Sequence, residues 1–598
     1  RLQITLAWQP LLRTIEMLFF GKARIPQTPL CAYLGYYYVM LARVARHYFA
    51  EGADADIMKE IRPFLCAQHS ASLFKGQVLL TLMLPRGPQS GLSIVGEIIS
   101  IWGWVVSYAD WDLHWIVFLA SLCRHTYRTC GTQWDSAMPE LFAHVLHIID
   151  LPVGASKVHI YGNMENSVAS ADGFPFFSLA SFVHLTDSRS KALQMVHKSA
   201  KLLVYLLRPA TAQGGGHGLS MLARVLNAVE SYLHPSNGGY WTRRLSQLLA
   251  SLCEYFTERV SAERLLPASD PSRLTEADVD KFAEMILPLA MQGLYSKSGT
   301  ATLQSCVALK YLSTLAPSIA LPPLLVRVYQ ALTTLIEVHQ TSSALEAMAA
   351  VICPVIRPGK FHAGVGHVSG LMELTLTGID ANDLPKTWAT LRFYTVLLCG
   401  MPLIRLPETC PEGVEQEKHE VARLATDGFA DWAFRLLDQT FAFVVNQNSM
   451  PPQQGEVKSK ADSETRTSEY FFHCTLEVFF MQLGDDLYAS ALNKVATFCF
   501  TNLLLQQQQP QLGVIVSAMT AVQPAMTVHK FMPTCLSILL VSPTDYATTP
   551  RTPRTPTPRR TTSVGSACKG VSPKLQANLS PNGAPLPGCA ASAAPTEC

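Results

Sequence analysis

The stretch that decides the fold is "LTEADVDKFAEMILPLAMQGLY" (residues 274–295). Its apolar side chains recur at intervals of three and four residues, which is the period of one face of an α-helix. Thr275 stands where an N-cap residue accepts a hydrogen bond from the first turn, and Asp278 lies in that turn. The stretch therefore predicts an amphipathic helix with one buried face. That face consists of Val279, Phe282, Ala283, Ile286, Leu287 and Ala290.

Two further amphipathic helices are predicted downstream, over residues 321–339 and 341–353. We place Pro322 and Pro323 in the first turn of the earlier helix, because a first turn needs no backbone N–H from them. Strand-like alternation is not sustained anywhere in the chain. The apolar stripes of the two helices are Leu325, Val328, Tyr329, Leu332 and Ile336, and then Leu345, Met348, Ala349 and Ile352.

The predicted helices recur at a regular interval. The helices start near residues 275, 321 and 366, which are 46 and 45 residues apart. HEAT and armadillo repeats have periods of ~40–47 residues. Each helix pair leaves an apolar face that only its neighbours can cover. We therefore predict an all-α fold, a HEAT/armadillo-like α-solenoid of paired antiparallel helices, over residues 1–541.

Two segments depart from the helical pattern. The polar insert at 446–469 and the Pro/Thr/Ser-rich tail at 542–598 contain few apolar residues. Neither can bury enough surface to offset the entropy of ordering, so we expect both to be disordered. The threonine-prolines of the tail resemble proline-directed phosphorylation sites, and its arginines a weak nuclear signal, but a solvated tail without a role is favoured. Those threonines are Thr549, Thr552, Thr555 and Thr557.

Length and composition exclude some classes of function. The 598 residues exceed the ~250–300 at which one core stops growing. Apolar residues make up 48% and the formal net charge is +2, so no overall field attracts nucleic acid. The most apolar run, 98–109, is shorter than the ~20 residues of a membrane span. The 15 cysteines are scattered through apolar helices, and we expect reduced core thiols in the nucleus and cytoplasm.

Motifs that carry chemistry are weak in this sequence. The Gly-rich "QGGGHGLSM" (213–221) has no Gly-Lys-Ser/Thr after it, so we interpret it as a helix–helix connection rather than a phosphate loop. The Cys/His clusters each lack the second ligand couple of a structural zinc site. We assign no catalytic, cofactor-binding or metal-binding residue, while a discontinuous active site stays open as an alternative. The clusters are Cys66/His69, Cys123/His125/Cys130 and His144/His147.

The stretch "LHPSNGGYWTRRL" (233–245) interrupts the helices with a proline and two glycines. We interpret it as a corner between packed helices. The glycines at 238–239 can adopt positive φ and reverse the chain, and Ser236 or Asn237 can accept bonds from backbone amides. The aromatic pair at 240–241 then begins the next helix and covers its apolar end.

Several segments stand in an order and at spacings that are typical of one family. They are "HPSNGGYW" (234–241), "LTEADVDKF" (274–282), "PPLLVRVYQALTTLIEVHQ" (322–340), "GIDANDLPKTW" (378–388) and "YASALNKVATF" (488–498). As a set they resemble the large single-chain HEAT-repeat proteasome activators, the proteasome activator complex subunit 4 family. The resemblance covers most of residues 1–541 and a part of the family's N-terminal half.

The resemblance implies a non-enzymatic, curved α-solenoid that caps the proteasome core particle. It implies ubiquitin-independent degradation of peptides and of unfolded or acetylated proteins, and links to acetylated histones, DNA repair and sperm development. Inositol phosphates are implied for the family, but they cannot be placed on any residue here. The alternative is a HEAT-repeat scaffold or adaptor of another class, such as a transport receptor or a phosphatase scaffold.

The two ends of the chain carry expectations of their own. The chain begins at Arg1 rather than at Met, so we expect a fragment of a longer protein. The family opens the proteasome gate with a C-terminal hydrophobic-Tyr-x motif, and this chain ends "APTEC" (594–598). We therefore expect that it does not open the gate by itself.

Overall fold

The chain adopts a helical fold in the computed structural model, within the residues that the structure describes. Regular structure in those residues is helical, apart from two isolated bridges that join Leu6 to Phe49 and Leu403 to Leu483. The described residues are 4–20, 29–85, 92–104, 109–151, 191–212, 215–334, 338–357, 361, 363–410, 415–447, 458–502 and 509–540.

The described part of the chain contains a succession of α-helices. In chain order they are α1 (Gln9–Phe20), α2 (Pro29–Ala45), α3 (Ala53–Ile61), α4 (Ser70–Met83), α5 (Val95–Trp104), α6 (Ala109–Thr126), α7 (Met138–Ile149), α8 (Lys191–Leu206), α9 (His217–Val229), α10 (Tyr240–Glu263), α11 (Glu276–Gly293), α12 (Gly299–Leu315), α13 (Pro317–Thr333), α14 (Val338–Ile356), α15 (Gly364–Thr375), α16 (Leu384–Cys399), α17 (Gln416–Asp427), α18 (Phe429–Gln447), α19 (Lys458–Met481), α20 (Asp485–Asn502), α21 (Gln509–Val522) and α22 (Pro524–Leu540).

The helices stack in two layers. The chain divides into two units at residue 534, and the stacking described here lies in the first unit. One layer runs through α4, α6, α8, α10, α12, α14, α16, α19 and α21, each packed on the next. The other runs through α7, α9, α11, α13 and α15, and then continues with α17, α18 and α20. Alternation between two layers is the arrangement of a HEAT-type solenoid, so the predicted fold class is confirmed.

Helix α11 forms as the sequence predicts. Thr275 is the N-cap: the backbone N–H of Asp278 donates to its hydroxyl at 3.2 Å, and the N–H of Thr275 donates to the Asp278 carboxylate at 2.9 Å. This reciprocal capping satisfies N–H groups that a helix start leaves without partners. All the residues of the predicted apolar face are buried: Val279, Phe282, Ala283, Ile286, Leu287 and Ala290.

Helix α13 begins earlier than predicted, at Pro317 rather than near 321. Pro317 occupies the first turn, where a missing N–H costs nothing. Pro322 and Pro323 therefore lie inside the helix, and their predicted place in the first turn is wrong. Both prolines are exposed. Water can consequently bind the carbonyls that lose their helical partner, which makes the interruption tolerable.

The boundary between α13 and α14 also differs from the prediction. Helix α13 ends at Thr333, where the hydroxyls of Thr333 and Thr334 donate to the carbonyls of Tyr329 and Gln330, at 2.8 and 2.7 Å. Such side-chain bonds compete with helix continuation. Of the predicted stripe, Ile336 lies outside the described residues. The stripe predicted for the following helix is buried throughout: Leu345, Met348, Ala349 and Ile352.

The polar insert predicted at 446–469 is partly described. Helix α18 ends at Gln447, residues 448–457 lie outside the described part, and α19 begins at Lys458. Residues 458–469 thus form helix where we expected disorder. Their sequence includes Lys, Ala, Glu and Arg, which favour helix, and extending an existing helix needs no new nucleus. The same helix continues into the buried residues Phe472, Leu476 and Phe479.

The predicted tail, residues 542–598, lies outside the described residues. The same holds for its threonine-prolines Thr549, Thr552, Thr555 and Thr557.

Candidate functional site

The corner at 233–245 joins two packed helices, as predicted. Helix α9 passes into a short 3-10 helix, Glu230–Leu233, and α10 begins at Tyr240. The Asn237 side-chain amide donates to the carbonyls of Ser231 and Tyr232, at 3.2 and 3.1 Å. We expected the Asn237 side chain to accept hydrogen bonds. It donates them instead, because the carbonyls at a helix end lack N–H partners.

The corner glycines act differently from the prediction. Among the described glycines, positive φ occurs at Gly52 and Gly216 but not at Gly238 or Gly239. Gly239 is extended, with φ −79° and ψ 165°. A Cβ at Gly239 would overlap the ring of Trp241, whereas one at Gly238 would meet nothing within 4 Å. Gly239 therefore provides room for an indole that packs, half-buried, against the core.

The Gly-rich stretch at 213–221 connects α8 to α9, in the part that is described. Gly216 is the N-cap of α9 and has a φ of 79°, in the left-handed region that favours glycine. The interpretation as a helix–helix connection is confirmed for these residues. Gln213 and Gly214 lie outside the described residues.

A groove beside the corner is the candidate interaction site. It lies between α11, α13 and the corner, it is open to solvent, and its volume is about 620 Å³. The Arg327 guanidinium lies over the ring of Tyr295, 5.6 Å from its centre. The backbone N–H of Lys297 donates to the carbonyl of Pro235 at 3.2 Å and fixes the corner against the end of α11. The groove is lined by His234, Pro235, Pro288, Met291, Gln292, Tyr295, Pro323, Val326, Arg327 and Gln330.

A buried serine–histidine contact is the arrangement that most resembles catalytic machinery. His197 Nδ1 lies 2.9 Å from Ser251 Oγ, and His197 Nε2 lies 2.8 Å from the Tyr255 hydroxyl. Ser251 is 0% exposed and also receives a bond from the Gln247 side chain at 2.9 Å. A nucleophile must reach its substrate. The geometry instead joins α8 to α10 through hydrogen bonds that satisfy buried polar groups.

A buried ion pair fixes the end of α8. Arg259 Nε donates to Glu263 Oε1 at 2.6 Å, and both side chains are almost completely buried. The other end of the guanidinium donates to the carbonyls of Val204 and Leu207, at 2.7 and 2.8 Å. Glu263 Oε2 accepts the backbone N–H of Leu274 at 2.8 Å. The pair therefore satisfies carbonyls at a helix end, where positive charge is also favoured.

Burial sets the protonation of the groups around this ion pair. Burial raises the pKa of Tyr127 to about 12, and the neighbouring Glu263 carboxylate adds to the effect. Burial also raises the pKa of the Cys123 thiol above its usual range. A neutral, enclosed thiol is a poor nucleophile and a poor metal ligand. These groups stabilise the packing of α6 on α8 rather than perform chemistry.

The predicted Cys/His clusters occupy structural positions. His69 is the N-cap of α4, and its Nδ1 accepts the backbone N–H of Ser72 at 3.1 Å. His144 stacks on the indole of Trp102 with ring centres 4.0 Å apart, and burial lowers its pKa. Across the described ranges, no three His, Cys, Asp or Glu side chains are placed to hold one metal ion.

Three of the described cysteines correct the prediction that all are core residues. Cys353, Cys399 and Cys535 are exposed, whereas Cys253 and Cys306 are buried as expected.

Side-chain donors at helix ends are the functional residues that sequence analysis missed. The Tyr394 hydroxyl and the Trp432 indole both donate to the carbonyl of Met372, near the end of α15, at 3.2 and 3.0 Å. Buried arginines do the same elsewhere: Arg46 donates to Thr81 at 2.8 Å, and Arg244 to Ile149 at 3.4 Å. The sequence feature that could have indicated the arginines is a charged residue within an otherwise apolar segment, because a buried charge needs a hydrogen-bonding partner.

None of the described helices combines the length and the apolar character that crossing a membrane requires.

The two layers of stacked helices and their capped ends define a HEAT-repeat protein. A family model described as "Proteasome activator complex subunit 4, mid HEAT repeats region" matches residues 222–410 and 408–539. The chain belongs to this family.

Curated relatives agree with the family model. "Proteasome activator complex subunit 4" of Homo sapiens is 24% identical over 571 residues, which cover 90% of this chain and 28% of that protein. The Xenopus laevis protein of the same name is 24% identical over 565 residues, with the same coverage. "Proteasome activator subunit 4" of Arabidopsis thaliana is 26% identical over 526 residues, covering 84% of this chain and 27% of that protein. The chain thus spans little more than a quarter of the relatives' length.

Proposed function

We propose that this chain is a structural, non-enzymatic segment of a proteasome activator that caps the core particle. The match to the mid HEAT region over residues 222–539 is the observation that supports the proposal. The names of the relatives, which are those of proteasome activators, agree with it.

The stacked layers suit a docking role. A binding surface loses affinity when it must be ordered on contact, so a surface held rigid by its own fold has an advantage. Here, the hydrogen bonds of Arg259 and Trp432 hold the ends of α8 and α15 against neighbouring helices. Contact with a partner then requires shape and polar complementarity, with no chemistry.

Gate opening is a separate step from docking. A protein opens a gate only if it binds the open state better than the closed one. The chain covers 28% of the human relative, and we assign the opening element to another part of the full-length protein. We therefore propose docking without opening for this segment.

The finer parts of the proposal follow the family resemblance. We propose ubiquitin-independent degradation of peptides and of unfolded or acetylated proteins as the process served, in the nucleus and the cytoplasm. Contacts with acetylated histones, and roles in DNA repair and sperm development, belong in this proposal to the full-length protein. We assign no cofactor to the segment.

The test uses purified proteasome core particle and the 598-residue chain. Binding is measured with immobilised core particle, and hydrolysis of a fluorogenic peptide is measured in parallel. We expect saturable binding without stimulation of hydrolysis. A HEAT-repeat phosphatase scaffold serves as the control for non-specific adhesion.

Two outcomes would contradict the proposal. Absence of binding to the core particle, together with binding to a transport GTPase or a phosphatase subunit, would place the chain among HEAT scaffolds of another class. Several-fold stimulation of hydrolysis would instead locate gate opening within this segment.

A further inference from the structure

We propose that the groove between α11 and α13 binds an extended peptide segment that carries a carboxylate beside an apolar side chain. We call it the Arg327 groove, defined by the lining residues given above. The inference goes beyond the proposed function, because it assigns a ligand chemistry to particular residues and does not require the core particle.

The walls of the groove are apolar. Val326 on α13 is 58% exposed, and Met291 and Pro288 on α11 lie across from it. The volume of this open groove, about 620 Å³, falls within the range of roughly 300–1,000 Å³ that is usual for ligand sites. The groove can therefore shield an apolar side chain of a ligand from water.

The charge in the groove is positive. Arg327 is exposed, and within the described residues no carboxylate forms an ion pair with it. The Tyr295 ring lies beneath the guanidinium of Arg327, with 5.6 Å between the guanidinium carbon and the ring centre. This contact restricts the orientation of the guanidinium. A planar guanidinium held in this way presents parallel N–H groups that match a carboxylate. No Asp or Glu stands among the described residues that line the groove.

The polar side chains of the groove suit an extended chain. Gln292 and Gln330 each carry side-chain donors and an acceptor at the groove. A peptide, which carries an N–H and a C=O at each residue, can bond to both kinds of group.

Nucleic acid fits the groove less well. Binding to a phosphate backbone depends on several cationic side chains along a stripe. Its described lining has one arginine, one histidine and otherwise apolar or neutral residues.

The test is a titration of the full chain into fluorescein-labelled peptides, followed by fluorescence anisotropy. The main probe alternates leucine and aspartate. Three matched probes replace every aspartate by asparagine, every aspartate by lysine, or every leucine by serine. Two chain variants, Arg327→Gln and Val326→Ser, remove the charge and the apolar wall in turn.

The controls are exposed residues away from the groove. Arg224→Gln on α9 removes an exposed arginine, and Leu303→Ser on α12 removes an apolar side chain that is 49% exposed. Thermal melting should be the same for the four variants and the unmodified chain, since all four positions are on the surface.

We expect the leucine–aspartate probe to bind, and each matched probe to bind about tenfold or more weakly, because charge-assisted bonds and apolar contacts both contribute. Arg327→Gln and Val326→Ser should weaken binding similarly, and the control variants should not. The proposal is overturned if no probe binds, if the lysine probe binds as well, or if Arg224→Gln weakens binding as much as Arg327→Gln.

Discussion

Two junctions between stacked helices solve the same problem with different chemistry. At the charged junction (Val204, Leu207, Arg259, Glu263 and Leu274), an ion pair satisfies the carbonyls at the end of α8. At the neutral junction (Met372, Thr375, Tyr394 and Trp432), a phenol and an indole satisfy the carbonyl of Met372 near the end of α15. Both are almost fully buried.

The comparison shows how much free energy of unfolding each junction should lose when one of its side chains is substituted. A buried ion pair adds little net stability, because desolvation offsets attraction, but breaking it leaves a buried charge alone. A neutral hydrogen bond leaves only a buried polar group without a partner. The charged junction should therefore be more sensitive to single substitutions, although both junctions perform the same structural task.

The largest effect is expected for Arg259→Met. The substitution leaves Glu263 buried without its cation, and the carbonyls of Val204 and Leu207 without their donor. We expect a loss of about 3–5 kcal/mol in the free energy of unfolding, which urea denaturation of the variant and of the unmodified chain would measure.

The matched control is Arg264→Met, which breaks a neighbouring pair at the surface. Arg264 lies 3.1 Å from Glu276; the Arg264 side chain is 32% exposed and that of Glu276 is 67% exposed. An exposed pair is worth about 0–1 kcal/mol, so this variant should be close to the unmodified chain. Equal losses for the two variants would show that burial of the Arg259 pair does not matter.

The neutral junction gives a smaller expected effect. Tyr394→Phe removes the bond to the Met372 carbonyl at 3.2 Å and the contact with the Thr375 hydroxyl at 2.8 Å. The Met372 carbonyl keeps the Trp432 donor and the Thr375 hydroxyl keeps its bond to Leu371, so we expect a loss of about 0.5–1.5 kcal/mol for each bond removed. Urea denaturation is again the measurement, and a loss as large as that of Arg259→Met would remove the distinction between the junctions.

The corner at 233–245 belongs to neither junction, and it should respond to volume rather than to charge. A Cβ at Gly239 would overlap the Trp241 ring, so Gly239→Ala should cost about 1–3 kcal/mol through forced repacking. Gly238→Ala is the control, since a Cβ there meets nothing within 4 Å. The melting temperatures of the two variants test this expectation. Equal melting temperatures would show that the Trp241 indole moves aside without a loss of stability.

The contribution of Tyr127 to the pH dependence of stability is expected to be absent at neutrality and to appear in alkali. The pKa of Tyr127, 10.0 in an unfolded chain, is raised to about 12 by burial and by Glu263. The folded state thus keeps the phenol neutral, and its stability is complete below pH 10 and is lost as pH rises from 10 to 12. Tyr127→Phe should reduce that loss in urea denaturation across this range, and an unchanged profile would contradict the assignment.

The sequence could predict the elements whose local signals agree. At α11, the capping pair Thr275 and Asp278 and a continuous apolar stripe indicate the same helix, and that helix forms. Pro322 and Pro323 misled the prediction of the α13 boundary, because Pro317 offers an equally good first turn and the exposed face tolerates the later prolines. Boundaries depend on competition between such signals.

The junctions and the groove could not be predicted, because they depend on residues far apart in the chain. Arg259 reaches carbonyls more than 50 residues earlier, at Val204 and Leu207. The role of Gly239 comes from the position of the Trp241 ring, rather than from its own φ. The Arg327 groove combines α11, α13 and the corner, so it exists only once the helices stack.

The most direct test of the stacked-layer account is hydrogen–deuterium exchange of the Arg259→Met variant. Because each helix contacts mainly its neighbours, damage at one junction should stay local. We predict faster exchange in α8, in α10 and around Leu274, and unchanged exchange in α19 and α21. Equal acceleration along the whole chain, including α19 and α21, would contradict the account, since it would show one cooperative core in place of locally stacked repeats.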